Sequence, residues 1–219
     1  MKKKQKKLND NSKVLTVDPV SPQADIIDLA AETIIMGGVV LFPTTCLYGL
    51  AADAMNEDAV RKIYSIKKRS AGNPILVLVK NHEALEKITV SIPFAAARIM
   101  EKFWPGNVTI VFEAGKEVPS IITAKTGKIG ARIPAHDVAL SLTKRLKNPV
   151  TGTSANISEN TGCSVISDIS PEIIRQADLI LDAGSLKGGI GSTVIDVTVT
   201  PPKILREGTT SAADIFNCL

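Results

Sequence analysis

Apolar positions along the chain gather into short runs separated by amphipathic stretches, the alternation expected of an α/β protein. Ile26, Leu29, Ala30, Thr33 and Ile34 keep helical spacing, with Ser21-Pro22 as cap and first-turn proline and Gly37-Gly38 as the stop. The run VVLF at 39–42 reads as a short apolar strand. A second helix is predicted from just after Asn56 through Lys67, followed by a buried strand ILVLV at 75–79. Helices near 82–88 and 93–103 lead through WPGN at 104–107 to the alternating strand VTIVFEA at 108–114. KIGARIP at 128–134 reads as a strand stopped by Pro134, with a helix over 137–146 and the apolar PVTG behind it. The final third is strand-rich: a helix near 171–177, then DLILD at 178–182, TVIDV at 193–197 and KILR at 203–206. Strands and helices interleave irregularly, which predicts a mixed, twisted sheet flanked by helices rather than a regular parallel array.

No repeat or linker divides residues 14–216, so they read as one α/β domain behind a basic, flexible tail at 1–13. With 44% hydrophobic and 22% charged residues, the 219-residue chain can bury a sizeable core and is not disordered. No apolar run approaches the roughly 18 residues of a membrane span. MKKKQKK is not followed by the apolar segment a secretory signal needs. Cys46, Cys163 and Cys218 lack CxxC spacing, which argues against a zinc site or disulfide framework and fits a reducing, cytoplasmic setting. The net charge of +4 rests on five lysines within the first seven residues. Without them the body carries 21 basic against 22 acidic residues, so global charge says little about partners. The tail could touch nucleic acid non-specifically, but a solvated terminus is the simpler reading.

Familiar nucleotide and hydrolase signatures are missing: there is no GxxxxGK[ST], no GxGxxG and no GxSxG. His82 reads as a surface residue, and His136 is open between site and surface. What remains is a set of polar segments placed directly after strands. PTTCLYGL (43–50) offers hydroxyls and amides at a strand end, where open α/β folds bind ligands; an ordinary strand-to-helix turn is the alternative. Lys67 continues the inward stripe of Val60, Ile63 and Tyr64, either snorkelling or aimed at an anion. Arg69 adds a planar fork suited to carboxylate or phosphate, while Lys68 points to solvent. Arg132 sits in a strand with Ala131 and Ile133 on its other face, as an exposed or ion-paired residue or a carboxylate ligand. Thr153, Ser154 and Asn156 set small donors and acceptors on a tight backbone suited to phosphate and magnesium-bound oxygens, or merely cap a helix. Gly188, Gly189 and Gly191 allow close backbone approach before Ser192, and Arg206 closes a strand. Together these segments are rich in hydroxyls and cations and poor in bases. That combination predicts a site that holds anions and transfers an adenylyl or phosphoryl group by positioning.

The same segments resemble a known family. PTTCLYGL resembles the PT(E/D)TxYGL motif of the YrdC-like threonylcarbamoyl-AMP synthases, and Lys67-x-Arg69 with Asn73-Pro74 resembles their KxRxxxNPL segment. WPG (104–106) with Thr109, ARIP (131–134), TSANIS (153–158) and GSTVID (191–196) follow in the family's order. The resemblance implies an open, twisted, mixed α/β domain with a concave basic cavity. It also implies that L-threonine, bicarbonate and ATP, with Mg²⁺, are joined into L-threonylcarbamoyladenylate with release of pyrophosphate. Downstream threonylcarbamoyl-transferase proteins then use the adenylate for the threonylcarbamoyladenosine of tRNA. By the same resemblance Thr44, Arg132 and Ser192 bind threonine. Lys67, Arg69, Ser154, Asn156 and Arg206 bind ATP, with Lys67 and Arg69 catalytic and no metal ligand assigned. The chain departs from the family at Thr45, Cys46, Lys68 and Leu78. Two alternatives are carried: an RNA-binding module for tRNA or double-stranded RNA, and a paralogue with another acid or amine substrate. The 4% aromatic content weakens any single-strand stacking mode.

Overall fold

The computed structural model describes residues 13–158 and 160–219, so the basic segment read as a tail lies, apart from Lys13, outside the described residues. The elements run β1 (Val14–Thr16), α1 (Ala24–Ile35), β2 (Val40–Pro43), β3 (Tyr48–Ala51), α2 (Glu57–Lys67), β4 (Val77–Leu78), α3 (His82–Glu86) and α4 (Phe94–Phe103). They continue with β5 (Val108–Glu113), β6 (Lys128–Arg132), α5 (Asp137–Arg145), β7 (Val150–Thr151), β8 (Thr153–Ser154) and α6 (Pro171–Gln176). The chain closes with β9 (Leu179–Asp182), β10 (Thr193–Asp196), β11 (Lys203–Arg206) and α7 (Ala212–Phe216).

The strands divide between two mixed sheets flanked by helices, in the orders β1-β9-β2-β3-β8 and β11-β10-β5-β6-β4-β7. Hydrophobic alternation explains the division. Along 39–42, Val39 and Leu41 enter a core shared with α2, α4 and the second sheet, while Val40 and Phe42 enter a smaller core under α1 and α5. Both faces of β2 are therefore buried, which is why its sequence is a continuous apolar run. Gly152 carries the chain from β7 in one sheet to β8 in the other. A Cβ at Gly152 would stand 2.6 Å from Leu76 Cδ1 and 2.9 Å from Leu78 Cδ2, so any larger residue at the crossing would have to displace these two leucine side chains.

Most predicted elements form, with two local corrections. Helix α1 begins at Ala24 with Gln23 as an N-cap whose side chain does not bond the helix amides but accepts from Asp18 N at 3.0 Å. Ser21-Pro22 belongs instead to a turn closed by Asp18, whose Oδ1 accepts from the Val20 and Ser21 amides at 2.9 and 2.8 Å. The segment PTTCLYGL is only partly a loop: Tyr48–Ala51 forms β3 and pairs antiparallel with β2 in a hairpin. Helix α2 starts as expected, Asn56 Oδ1 accepting from the Asp58 and Ala59 amides.

The turn after β11 locks the second sheet against the segment that enters β10. A Cβ on Gly208 would lie 2.3 Å from the Ser192 carbonyl carbon and 2.5 Å from both Gly191 O and Thr193 N. These are backbone atoms that cannot rotate away. Gly208→Ala is expected to cost ~1–3 kcal/mol, a fall of roughly 2–12 °C in the thermal midpoint. An unchanged midpoint by calorimetry would show that the turn is not held against Ser192.

Candidate functional site

Where the two sheets meet lies a cavity of about 620 Å³, a size that accepts a nucleotide or a comparable small molecule. Of the eight residues expected at the site, Thr44, Arg69, Arg132, Ser154, Ser192 and Arg206 line it. Lys67 and Asn156 do not; they stand behind Ser154.

Each lining residue is fixed by the element that carries it. Thr44 opens the β2–β3 hairpin, and its hydroxyl and amide both donate to Leu47 O, at 2.6 and 3.1 Å. With its proton committed, the Thr44 oxygen has only lone pairs left for a ligand. Cys46 is buried at the cavity wall; its carbonyl accepts from Gly188 N at 2.9 Å, which ties the hairpin to the glycine-rich loop. Tyr48 fixes the other side of the same joint, donating to Gly184 O at 2.8 Å and accepting from Ala183 N at 3.0 Å. Burial pushes its phenol up to about 12, so it stays protonated.

Ser192 precedes β10, with its Oγ 3.0 Å from Thr109 Oγ1. Arg206, at the end of β11, donates from Nη2 to Ser192 O at 2.8 Å and to Ser192 Oγ at 3.3 Å. Arg69 follows α2 past a left-handed Lys68. Its guanidinium is steadied by Asn73 O at 3.0 Å and Pro74 O at 2.7 Å. Lys68 points outward, as expected, and pairs with Glu172 at 2.9 Å.

Arg132 differs from the other two arginines. It is 8% exposed, and its Nε is buried without a hydrogen-bond partner. Burial, and then repulsion from Arg206, pull its pKa down to about 10. Burial is also the main cause of the lowered values at Arg69 and Arg206. Among the described residues no carboxylate pairs with any of the three. A buried, unpaired guanidinium is costly unless a ligand completes it. The buried Arg132, with the more exposed Arg69 and Arg206 around the same cavity, makes a site for anions, with a planar fork suited to a carboxylate at Arg132.

The residues offer little else for chemistry. His136 is spent as the N-cap of α5, accepting from Val138 N at 3.3 Å, and does not line the cavity. His82 is exposed and stacks near Trp104, as a surface residue would. Among the described residues no group of three or more His, Cys, Asp or Glu could hold a metal ion. Among the described residues the one carboxylate lining the cavity, Asp196, is already paired with Lys128 at 2.9 Å. Sequence reading missed this pair. Lys128 lies four residues from Arg132 on the same strand face, and Asp196 four residues from Ser192, so period-two spacing was the available signal. That spacing puts the pair about 13 Å from the arginine end.

A family model described as Sua5_yciO_yrdC, telomere recombination, matches residues 32–208. The chain belongs to the Sua5/YciO/YrdC family. It is 37% identical over 182 residues to the threonylcarbamoyl-AMP synthase of Pyrococcus abyssi, covering 83% of this chain and 54% of that one. It is 33% identical over 192 residues to the Bacillus subtilis threonylcarbamoyl-AMP synthase, covering 87% and 56%. This Sua5/YciO/YrdC chain thus spans about half the length of these two curated relatives. Among solved structures it superposes on P. abyssi Sua5 complexed with L-threonine with a TM-score of 0.90 at 33% identity, covering 94% of this chain and 60% of that one. It also superposes on E. coli YciO with a TM-score of 0.83 at 28% identity, covering 90% and 96%. These likenesses establish the mixed α/β fold of the family, and among the described residues no helix is long and apolar enough to cross a membrane.

The unpaired guanidinium makes a direct prediction about stability. Arg132→Met removes a buried charge without opening a large void, so the variant should be more stable by about 1–3 kcal/mol, with a midpoint roughly 2–12 °C higher. A lower midpoint in differential scanning calorimetry would mean that the guanidinium is satisfied within the protein and is not reserved for a ligand.

Proposed function

We propose that this chain is an L-threonylcarbamoyladenylate synthase, acting in the cytoplasm to supply the adenylate that threonylcarbamoyl-transferase proteins carry to tRNA. The observation that carries the reading is the buried, unpaired Arg132 in a cavity lined by two further unpaired arginines. P. abyssi Sua5, a relative of the same fold, is complexed with L-threonine, and an amino-acid carboxylate is the kind of partner that the Arg132 fork suits. The names of the curated relatives favour the synthase over the RNA-binding alternative.

The residues divide the work by charge. Arg132 takes the threonine carboxylate in a bidentate pair. Thr44, whose oxygen can only accept, receives an N–H or O–H of the amino acid, and Ser192 borders the same end of the cavity. The amine adds to bicarbonate carbon with loss of water, giving a carbamate. A carbamate oxygen then attacks the α-phosphorus of ATP, and the bond to pyrophosphate breaks. Arg69 and Arg206 hold the phosphate oxygens and the departing pyrophosphate, whose charge grows in the transition state. No general base is needed at phosphorus, because the carbamate oxygen is already ionised. Asp196 is engaged by Lys128, so the donor set fits a magnesium ion brought in on the phosphates and water rather than one caged by protein. Bound in that way, magnesium would screen the triphosphate charge.

Pyrophosphate release tests the reading. Release from ATP and Mg²⁺ is expected only when threonine and bicarbonate are both present. Arg206→Met is expected to lower the rate by about 100-fold or more. Release that continues without threonine, or none at all from a protein that binds ATP, would move the reading to a paralogue with another acid or amine.

A further inference from the structure

Of the three free thiols, one opens on the arginine end of the cavity. Cys163 Sγ donates to Asp168 O at 3.3 Å and Cys218 Sγ to Ile215 O at 3.0 Å, and neither residue lines the cavity. Cys46 does line it, at 4% exposure, and its sulfur instead receives a hydrogen bond from Asn107 Nδ2 at 3.8 Å. Asn107 belongs to the junction that holds the end of β6: Gly106 N donates to Ile133 O and Thr193 N to Asn107 O, both at 3.0 Å. There stands the Arg132 guanidinium, 8% exposed, with its Nε unpartnered and its side chain on the same cavity. We propose that Cys46 is a modification site for hydroperoxides, at which oxidation to the sulfinate gives Arg132 an internal anion in place of a ligand carboxylate.

Reactive cysteines stand in electropositive surroundings that a reagent can enter. Here the cavity is the entry path, and Arg132, Arg69 and Arg206 supply the positive field. Asp196, the one lining carboxylate among the described residues, is held by Lys128 at the far end. Burial and then Arg206 pull the Arg132 pKa down to about 10, and a charge on Cys46 acts in the opposite sense, so sulfur and guanidinium feel one another. The sulfur attacks as the thiolate: an S–O bond forms, the O–O bond of the peroxide breaks, and the second oxygen leaves as hydroxide. Sulfur gives up two electrons and the peroxide takes them. The nearby guanidinium stabilises the charge that grows on the leaving oxygen. The sulfenic acid passes its proton to the hydroxide, and a second hydroperoxide oxidises the sulfenate to the sulfinate with release of water. The product is a fixed anion beside a cation that, among the described residues, no carboxylate pairs.

The other two cysteines are controls within the same chain. Burial, and secondarily Asp168, push the Cys163 thiol up, away from the reactive thiolate. Cys218 is buried in the larger core. The motif that PTTCLYGL resembles has threonine in place of Cys46, and hydroperoxides do not oxidise a hydroxyl in this way. The sensitivity is therefore tied to this chain's own residue.

Three measurements test the site. After brief treatment of the folded protein with hydrogen peroxide, peptide mass spectrometry should find two added oxygens on Cys46 before any on Cys163 or Cys218. Iodoacetate and iodoacetamide, an anionic and a neutral alkylating agent, separate the role of Arg132 from mere access. The ratio of their rates should be about 10-fold higher at Cys46 than at Cys163, and most of that excess should vanish in Arg132→Met. Oxidation first at Cys163 or Cys218, a Cys46 that stays reduced or enters a disulfide, or a ratio indifferent to Arg132 overturns the proposal. The third measurement rests on the synthase reading. Calorimetric affinity for L-threonine should fall about 10–100-fold when the wild type is oxidised and should not change when Cys46→Ser is treated alike. Threonine binding that survives complete oxidation of Cys46 also overturns the proposal. If the reduced wild type binds no threonine, the synthase reading fails, while mapping and alkylation still decide the role of Cys46.

Discussion

A guanidinium buried without a counter-ion is the constraint on which the site depends. Arg132 is placed on β6, among the strands that build the second sheet, with Ala131 and Ile133 buried on its far side. The sheet's packing holds the charge in place while nothing in the described protein neutralises it. That arrangement costs stability, and the rest of the fold supplies the stability it spends. Two cores, one on each face of β2, give the domain enough buried apolar surface to carry three arginines around one cavity.

The surrounding segments are joined to one another more than to the ligand space. The hairpin at Thr44–Leu47, the glycine-rich loop at Gly184–Ser192 and the turn at Arg206–Gly208 are linked by Cys46 O, Tyr48 Oη, Gly191 O and Ser192 O. Such preorganisation suits a reaction whose catalysis is positioning and electrostatics, because no group must move or ionise as charge develops on the phosphates. It also accords with there being, among the described residues, no histidine or carboxylate at the arginine end. Cys46, which stands where the resembling motif has threonine, fits this picture as a small buried wall residue whose backbone does the joining.

Much of this was legible in the chain. The boundaries of α2, β5, β6, β10 and β11 follow from caps, prolines and alternation, and six of eight expected site residues do line the cavity. What escaped had physical reasons. Strands β1, β7 and β8 are two or three residues long and exist only through partners far along the chain. Strand β3 was hidden because its residues lie inside a segment rich in turn formers. The helical stripe correctly sent Lys67 inward, but periodicity gives a direction and not a destination. Its acceptors lie 87 and 89 residues away, on a loop whose carbonyls no side-chain pattern reports. The Lys128–Asp196 pair was hidden for a similar reason: each half looks like an ordinary strand-end charge until β6 and β10 are set on either side of β5, which the pair spans.

The central claim is that Arg132 is reserved for a carboxylate. Calorimetric binding of L-threonine and of L-threoninol, which differs by a CH₂OH in place of the carboxylate, tests it most directly. The account predicts measurable binding of threonine to the wild-type protein and none of threoninol, with threonine binding lost in Arg132→Met. Equal binding of the two ligands, or threonine binding that survives the loss of Arg132, would contradict it.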